Sequence, residues 1–207
     1  MNDDLFGRPS TVDTGIRQEN DYYETPAWMV ASLLRHHPIG SDRGHARCFI
    51  VEPCAGDGAI SRIFVKRGYR VLTNDIDQRH PTMLHLDARH ELWTDPATAE
   101  TDWVISNTSF DIAFKVLEQA YMIARMGVAL LLRKTFDEPT KKRGAWLSRY
   151  PPTHTIRLPR HKFRRQAKGS DSTSVDWFIW RKGDQPEIWT IAPPYTIDHR
   201  AKELGLS

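Results

Sequence analysis

Two glycines and one acid stand on this chain at a spacing that suits a small polar ligand. Gly56 and Gly58 lie in the stretch Val51-Glu52-Pro53-Cys54-Ala55-Gly56-Asp57-Gly58-Ala59-Ile60. Lacking Cβ atoms, they let the backbone turn tightly and let a ligand come close. A Gly-x-Gly turn by itself is more often an ordinary strand-to-helix connection. Asp75 supplies the context. It follows Gly56 by nineteen positions, at the end of the run Tyr69-Arg70-Val71-Leu72-Thr73-Asn74. An acid at such a strand end, in an open α/β sheet, is placed to accept hydrogen bonds from the two hydroxyls of a ribose.

These residues need elements to position them. The apolar run Cys48-Phe49-Ile50-Val51 reads as a buried strand leading into the turn, and Ile60 to Arg67 as an amphipathic helix leading out. The unpaired N–H groups at the start of that helix are expected to point back at the ligand. Upstream, Thr25 is expected to cap a helix over Ala27–Leu34, with Pro26 in its first turn. Downstream, Met83 to Asp87 reads as a third strand, with Asp87 capping the segment Ala88 to Trp93 as one of two readings. Trp103 to Ser106 reads as a fourth strand. A long amphipathic helix follows, which Gly127 is expected to stop. Val128 to Leu132 is a continuous apolar fifth strand, a pattern of sheets covered on both faces. Asp137 to Arg149 reads as a helix or lid. His154–Leu158 and Val175–Trp180 close the sheet, with an edge strand possible over Gln185 to Ile191. Strands alternating with helices predict a seven-stranded α/β sheet with helices on both faces.

The residues Glu52-Pro53, Ala55-Gly56 and Gly58, followed by Asn74-Asp75-Ile76-Asp77, resemble the class I S-adenosylmethionine (SAM) methyltransferases. Within them the resemblance is to the small adenine-specific DNA methyltransferases of bacteria and phages. It covers about Tyr22 to Lys182. It implies a Rossmann-like domain, SAM as cofactor with S-adenosylhomocysteine as product, and no metal. Tyr23, Thr25 and Pro26 match a segment that closes over the methionine end of SAM. Glu52, Ala55, Gly56, Gly58, Asp75 and Ile76 fall in the two cofactor motifs. Asp87 takes the position of an acceptor for the adenine amino group, and Ala88 that of a backbone donor.

In such amino-methyltransferases the fourth strand ends in Asn or Asp, two prolines, and an aromatic residue. Asn107 and Phe110 match, whereas Thr108-Ser109 replaces the prolines. The resemblance makes Asn107 and the Thr108 carbonyl the acceptors for the target amine, and Phe110 the ring that stacks on a flipped base. From the residues alone, Asn107 reads as a turn residue after a strand. Losing the prolines loosens the segment, and misplacement by about 1 Å costs on the order of 100-fold in rate.

The densest charge on the chain is Arg157-Leu158-Pro159-Arg160-His161-Lys162-Phe163-Arg164-Arg165-Gln166-Ala167-Lys168, which no acid interrupts. A charge run is usually a solvated loop. One sign of charge with an aromatic among it suits a phosphate backbone, so Arg160, Lys162, Phe163, Arg164, Arg165 and Lys168 are the candidate nucleic-acid contacts. Arg133-Lys134 and Lys141-Lys142-Arg143 are expected on the same rim.

The chain has 207 residues, 40% hydrophobic and 27% charged, with a net charge of +3. That is enough for one core. No apolar run approaches the ~20 residues of a membrane span. Its acidic start carries no secretory pattern, and two cysteines make no disulfide framework, so a reducing cytoplasm of a bacterial or phage-infected cell is expected. Adjacent His36 and His37 lack further ligands at zinc spacing. Residues 1–20 read as a polar arm, 21–192 as the methyltransferase domain and 193–207 as a polar tail. The function expected is methylation of the exocyclic amine of adenine in DNA. The alternatives are methylation of RNA or of a protein glutamine, or a SAM-binding protein that has lost transfer.

Overall fold

The computed structural model describes residues 24–42, 44, 47–138, 140–161 and 174–185, together with the backbone of 188–191. Helix α1 (Ala27–His36) begins directly after Pro26. It buries Met29, Val30, Ala31, Ser32 and Leu33 on one side. Thr25 does not cap it. The residue at the cap position is Pro26, which has no side-chain hydrogen bond to give, and the Thr25 hydroxyl is turned inward.

Strands β1 (Phe49–Glu52), β2 (Arg70–Thr73), β3 (Trp103–Ser106), β4 (Gly127–Arg133), β5 (His154–Arg157), β6 (Val175–Arg181) and β7 (Ile188–Ile191) form one sheet. Their order is β2-β1-β3-β4-β6-β5-β7. The first four run parallel, and β6 is antiparallel to both its neighbours. Six of these strands match the seven expected of the class. The third, over Met83 to Asp87, does not form; it is reduced to a single bridge between Asn74 and Leu84. The Asn74 side chain takes over the pairing there, accepting from the Leu86 N–H and donating to the Leu86 carbonyl. A side chain that satisfies backbone groups in this way displaces the ladder. The sheet gains its seventh strand at the opposite edge, where β7 pairs parallel to β5.

Side-chain alternation divides the sheet into two cores. Ile50, Trp103, Ile105, Ala129, Leu131, Trp177 and Ile179 face α1 and α2 (Ser61–Lys66). Val51, Val104, Val128, Leu130, Leu132, Phe178 and Trp180 face α3 (Ala113–Ile123), with Trp146 and Leu147 of α4 (Lys141–Arg149) packed against the same cluster. Helices therefore cover both faces. Helix α3 stops at Ile123, four residues short of Gly127. Gly127 instead opens β4, because a Cβ there would lie 2.5 Å from the Trp180 carbonyl and 2.7 Å from the Trp103 ring.

The order β2-β1-β3 reverses the winding of the sheet at β1. The C-terminal ends of β1, β2, β3 and β4 share one edge, with Glu52 beside Thr73 and Ser106 beside Leu130. A crevice outside such a reversal is where open α/β sheets bind ligands.

Candidate active site

The glycine turn is held by the strand beside it. The Ala55 N–H donates to the Asn74 carbonyl at 2.9 Å, and the Gly56 N–H donates to Asp75 Oδ2 at 2.8 Å. Asp75 Oδ1 accepts from the Asp77 N–H at 2.9 Å. Gly56 and Gly58 both have positive φ, 50° and 75°, which favours glycine at each. Asp75 thus meets the turn that the sequence paired it with, and it also builds that turn. A carboxylate offers about four lone-pair sites, so each oxygen retains capacity for a ligand hydroxyl. Ile76, next to it, leaves 52% of its surface exposed.

Asn74 is a residue that sequence reasoning passed over. It is fully buried, and its amide donates to the Pro53 carbonyl and the Leu86 carbonyl, each at 2.9 Å. One side chain therefore ties the glycine turn, β2 and the Leu86 segment together. Its signal in the sequence was its place inside the Asn74-Asp75-Ile76-Asp77 motif.

Glu52 ends β1 and is 2% exposed. Its Oε2 accepts from the Ser61 N–H at 2.9 Å. Burial pushes its carboxyl up to about 8, against the pull of that hydrogen bond. The first N–H of α2 is therefore spent on Glu52, not aimed at a ligand as expected. The helix is also only six residues long.

Asp87 is engaged with its own neighbour. Its carboxylate accepts from the Arg89 backbone N–H and holds the Arg89 guanidinium, which keeps its carboxyl below the usual range. Of the two readings of Asp87, the structure realises the local cap. Ala88 is buried, and its carbonyl accepts from the Trp93 indole at 2.6 Å.

Across the edge, Asn107 follows β3 directly. Its Nδ2 donates to Thr25 Oγ1 at 3.1 Å, although the two are 82 positions apart. Thr25 is 6% exposed. Ser106 Oγ reaches the Cys54 carbonyl at 3.5 Å, tying the end of β3 to the glycine turn. Thr108 is 2% exposed, and its hydroxyl has no hydrogen-bond partner. The Ser109 hydroxyl donates to the Asp111 carboxylate. Phe110 packs against the core beneath α1 and carries the Arg133 guanidinium over its ring.

The basic rim is less charged than the sequence suggests. Arg157 pairs with buried Asp176 and reaches Asp137 at 4.0 Å, while Lys134 lies 3.7 Å from Asp176 and Lys142 3.7 Å from Glu118. No acid interrupts the run in sequence, but β6 supplies one in space. Arg160 is exposed. Tyr23, Lys162, Phe163, Arg164, Arg165 and Lys168 lie outside the described residues, as does the Lys141 side chain.

Both thiols are free. Burial raises Cys54 and pushes Cys48 up to about 12, so neither is a ready nucleophile. Among the described residues no group of three or more His, Cys, Asp or Glu is placed to hold a metal ion, and no helix is long and apolar enough to cross a membrane.

No protein-family model matches the sequence, and no curated protein does either. Solved structures do match in fold. A candidate class I SAM-dependent methyltransferase from Listeria monocytogenes superposes with a TM-score of 0.51 at 17% identity, over 87% of this chain and 66% of that one. A candidate O-methyltransferase from Agrobacterium tumefaciens gives 0.55 at 14%, over 87% and 95%. A candidate hemolysin from Lactococcus lactis gives 0.53 at 13%, over 88% and 98%. The chain has the fold of class I SAM-dependent methyltransferases. A hemolysin among the matches illustrates that function has to be argued from the site.

Proposed function

We propose that this protein transfers a methyl group from SAM to the exocyclic amine of adenine in DNA. The observation that carries the reading is the Asn107 carboxamide, fixed by Thr25 at the end of β3, one strand from the glycine turn and Asp75. Cofactor and acceptor sites then share one crevice, and holding reactants in line is most of what such a transfer needs.

The donor set fits the cofactor. Asp75 has an acceptor site to spare on each oxygen for a ribose. Ile76 offers an exposed apolar surface beside it for a planar base, and Gly56 leaves the turn open. SAM would supply a methyl group activated by its sulfonium cation. The chain's part is orientation. Asn107 Oδ1 and the Thr108 carbonyl accept the two N–H bonds of the amine and aim its lone pair into the crevice. Phe110 stacks on the base once it has left the duplex. Arg160 and the run to Lys168 would meet the phosphate backbone.

Incubation with labelled SAM and separate pools of DNA, RNA and protein tests this. Label in DNA, at the adenine amine, is the expected result; label in RNA or on a protein glutamine moves the substrate. Asn107→Ala should abolish transfer and leave S-adenosylhomocysteine affinity nearly intact. A second reading, a binding protein without transfer, draws on the Thr108-Ser109 pair in place of two prolines. Cofactor binding with no label in any pool would establish it.

A further inference from the structure

We propose that Thr25 is a positioning residue that sets which end of the Asn107 carboxamide faces the acceptor. The inference rests on the methyltransferase reading of the crevice and goes beyond it, since the sequence placed Thr25 with the cofactor. The two ends of a carboxamide are nearly the same shape and opposite in hydrogen bonding. Only the oxygen end can accept from an amine; a flipped amide would set donor against donor. Asn107 donates through Nδ2 to Thr25 Oγ1 at 3.1 Å, which puts its oxygen at the other end.

Thr25 is well supported for this task. It is nearly buried and immediately precedes α1, whose Met29, Val30 and Leu33 are fully buried. The Trp177 indole of β6 donates to the Met29 carbonyl at 2.8 Å, fixing the first turn of the helix to the sheet. A site held on rigid elements keeps its geometry better than one on a loop. Thr25 is therefore an anchored contact on the core, not part of a segment that closes over a ligand.

Thr25→Val keeps the branched shape and removes the hydroxyl; Thr25→Ser keeps the hydroxyl. The measurements are kcat and KM for oligonucleotide, calorimetry with S-adenosylhomocysteine, and the Asn107 side-chain amide signals in a nitrogen-15 spectrum. Thr25→Val is expected to lower kcat about tenfold, the worth of one good hydrogen bond. S-adenosylhomocysteine affinity should stay within about twofold, since that bond does not touch the cofactor. Its Asn107 Nδ2 protons should exchange faster with water, and Thr25→Ser should restore both rate and protection. If Thr25→Val instead loses cofactor affinity and keeps kcat, Thr25 belongs to the cofactor site and the inference is wrong. Unchanged amide exchange in Thr25→Val also overturns it. That signal needs no turnover, so it decides the contact even if the wild type labels nothing, a result that would sink the methyltransferase reading alone.

Discussion

The guanidinium of Arg133 lies 4.5 Å from the centroid of the Phe110 ring. Arg133 ends β4 and is exposed, and among the described residues it makes no ion pair. A cation on an exposed ring is worth about 0.5–1 kcal/mol, less than the ~1–3 kcal/mol of a stacked base. A base can therefore take the ring and release the guanidinium to a phosphate. On this hypothesis Phe110→Ala weakens oligonucleotide binding by about 1–2 kcal/mol, the stacking less the contact given up. Arg133→Ala should flatten the plot of log affinity against log salt by about one phosphate contact. An unchanged slope would leave Arg133 as a simple cover for the ring.

Asp75 both shapes the turn and faces the crevice, so its removal should cost twice. Asp75→Ala is expected to weaken S-adenosylhomocysteine binding by about 1.5–3 kcal/mol through a lost charged acceptor. It should also lower the melting temperature without ligand, because the Gly56 and Asp77 N–H groups lose their partner. Calorimetry and thermal melts separate the two effects. A variant that melts earlier but binds as before would place the ribose elsewhere.

Two buried groups give the stability curve opposite slopes. Glu52 has an ordinary value of 4.5 and is pushed up to about 8, chiefly by burial. The fold binds its proton more tightly than the open chain, so its stability contribution is present below 4.5 and is lost as pH rises to about 8. His37 is lowered from 6.5 to about 3, first by burial and then by His154 and Arg181. Its contribution is intact above 6.5 and is lost as pH falls towards 3. Glu52→Gln should remove the loss on the alkaline side and His37→Phe the loss on the acid side. Denaturant unfolding from pH 4 to 9 measures both; a Glu52→Gln curve parallel to wild type would show that Glu52 is already ionised in the fold.

The Thr108 hydroxyl is buried without a partner. Such a group costs about 1–3 kcal/mol, so Thr108→Val should stabilise the protein by about 1 kcal/mol. Equilibrium unfolding tests this. Destabilisation would mean that the hydroxyl is satisfied in solution.

Much of the fold was legible because it depends on local pattern. The apolar runs that became β1, β3, β4 and β6 alternate between two cores, and a run that is apolar throughout has to be covered on both sides. Gly56, Gly58 and Asp75 were legible because positive φ and an acid at a strand end are short-range requirements. What the sequence could not determine is partner choice. Thr25 has a side chain fit to cap the helix beside it, yet its hydroxyl goes to Asn107, 82 positions away. Arg157 reads as free charge, yet Asp176 of the neighbouring strand neutralises it. A polar group takes the nearest partner in space once it leaves water, and only the tertiary structure decides which partner that is.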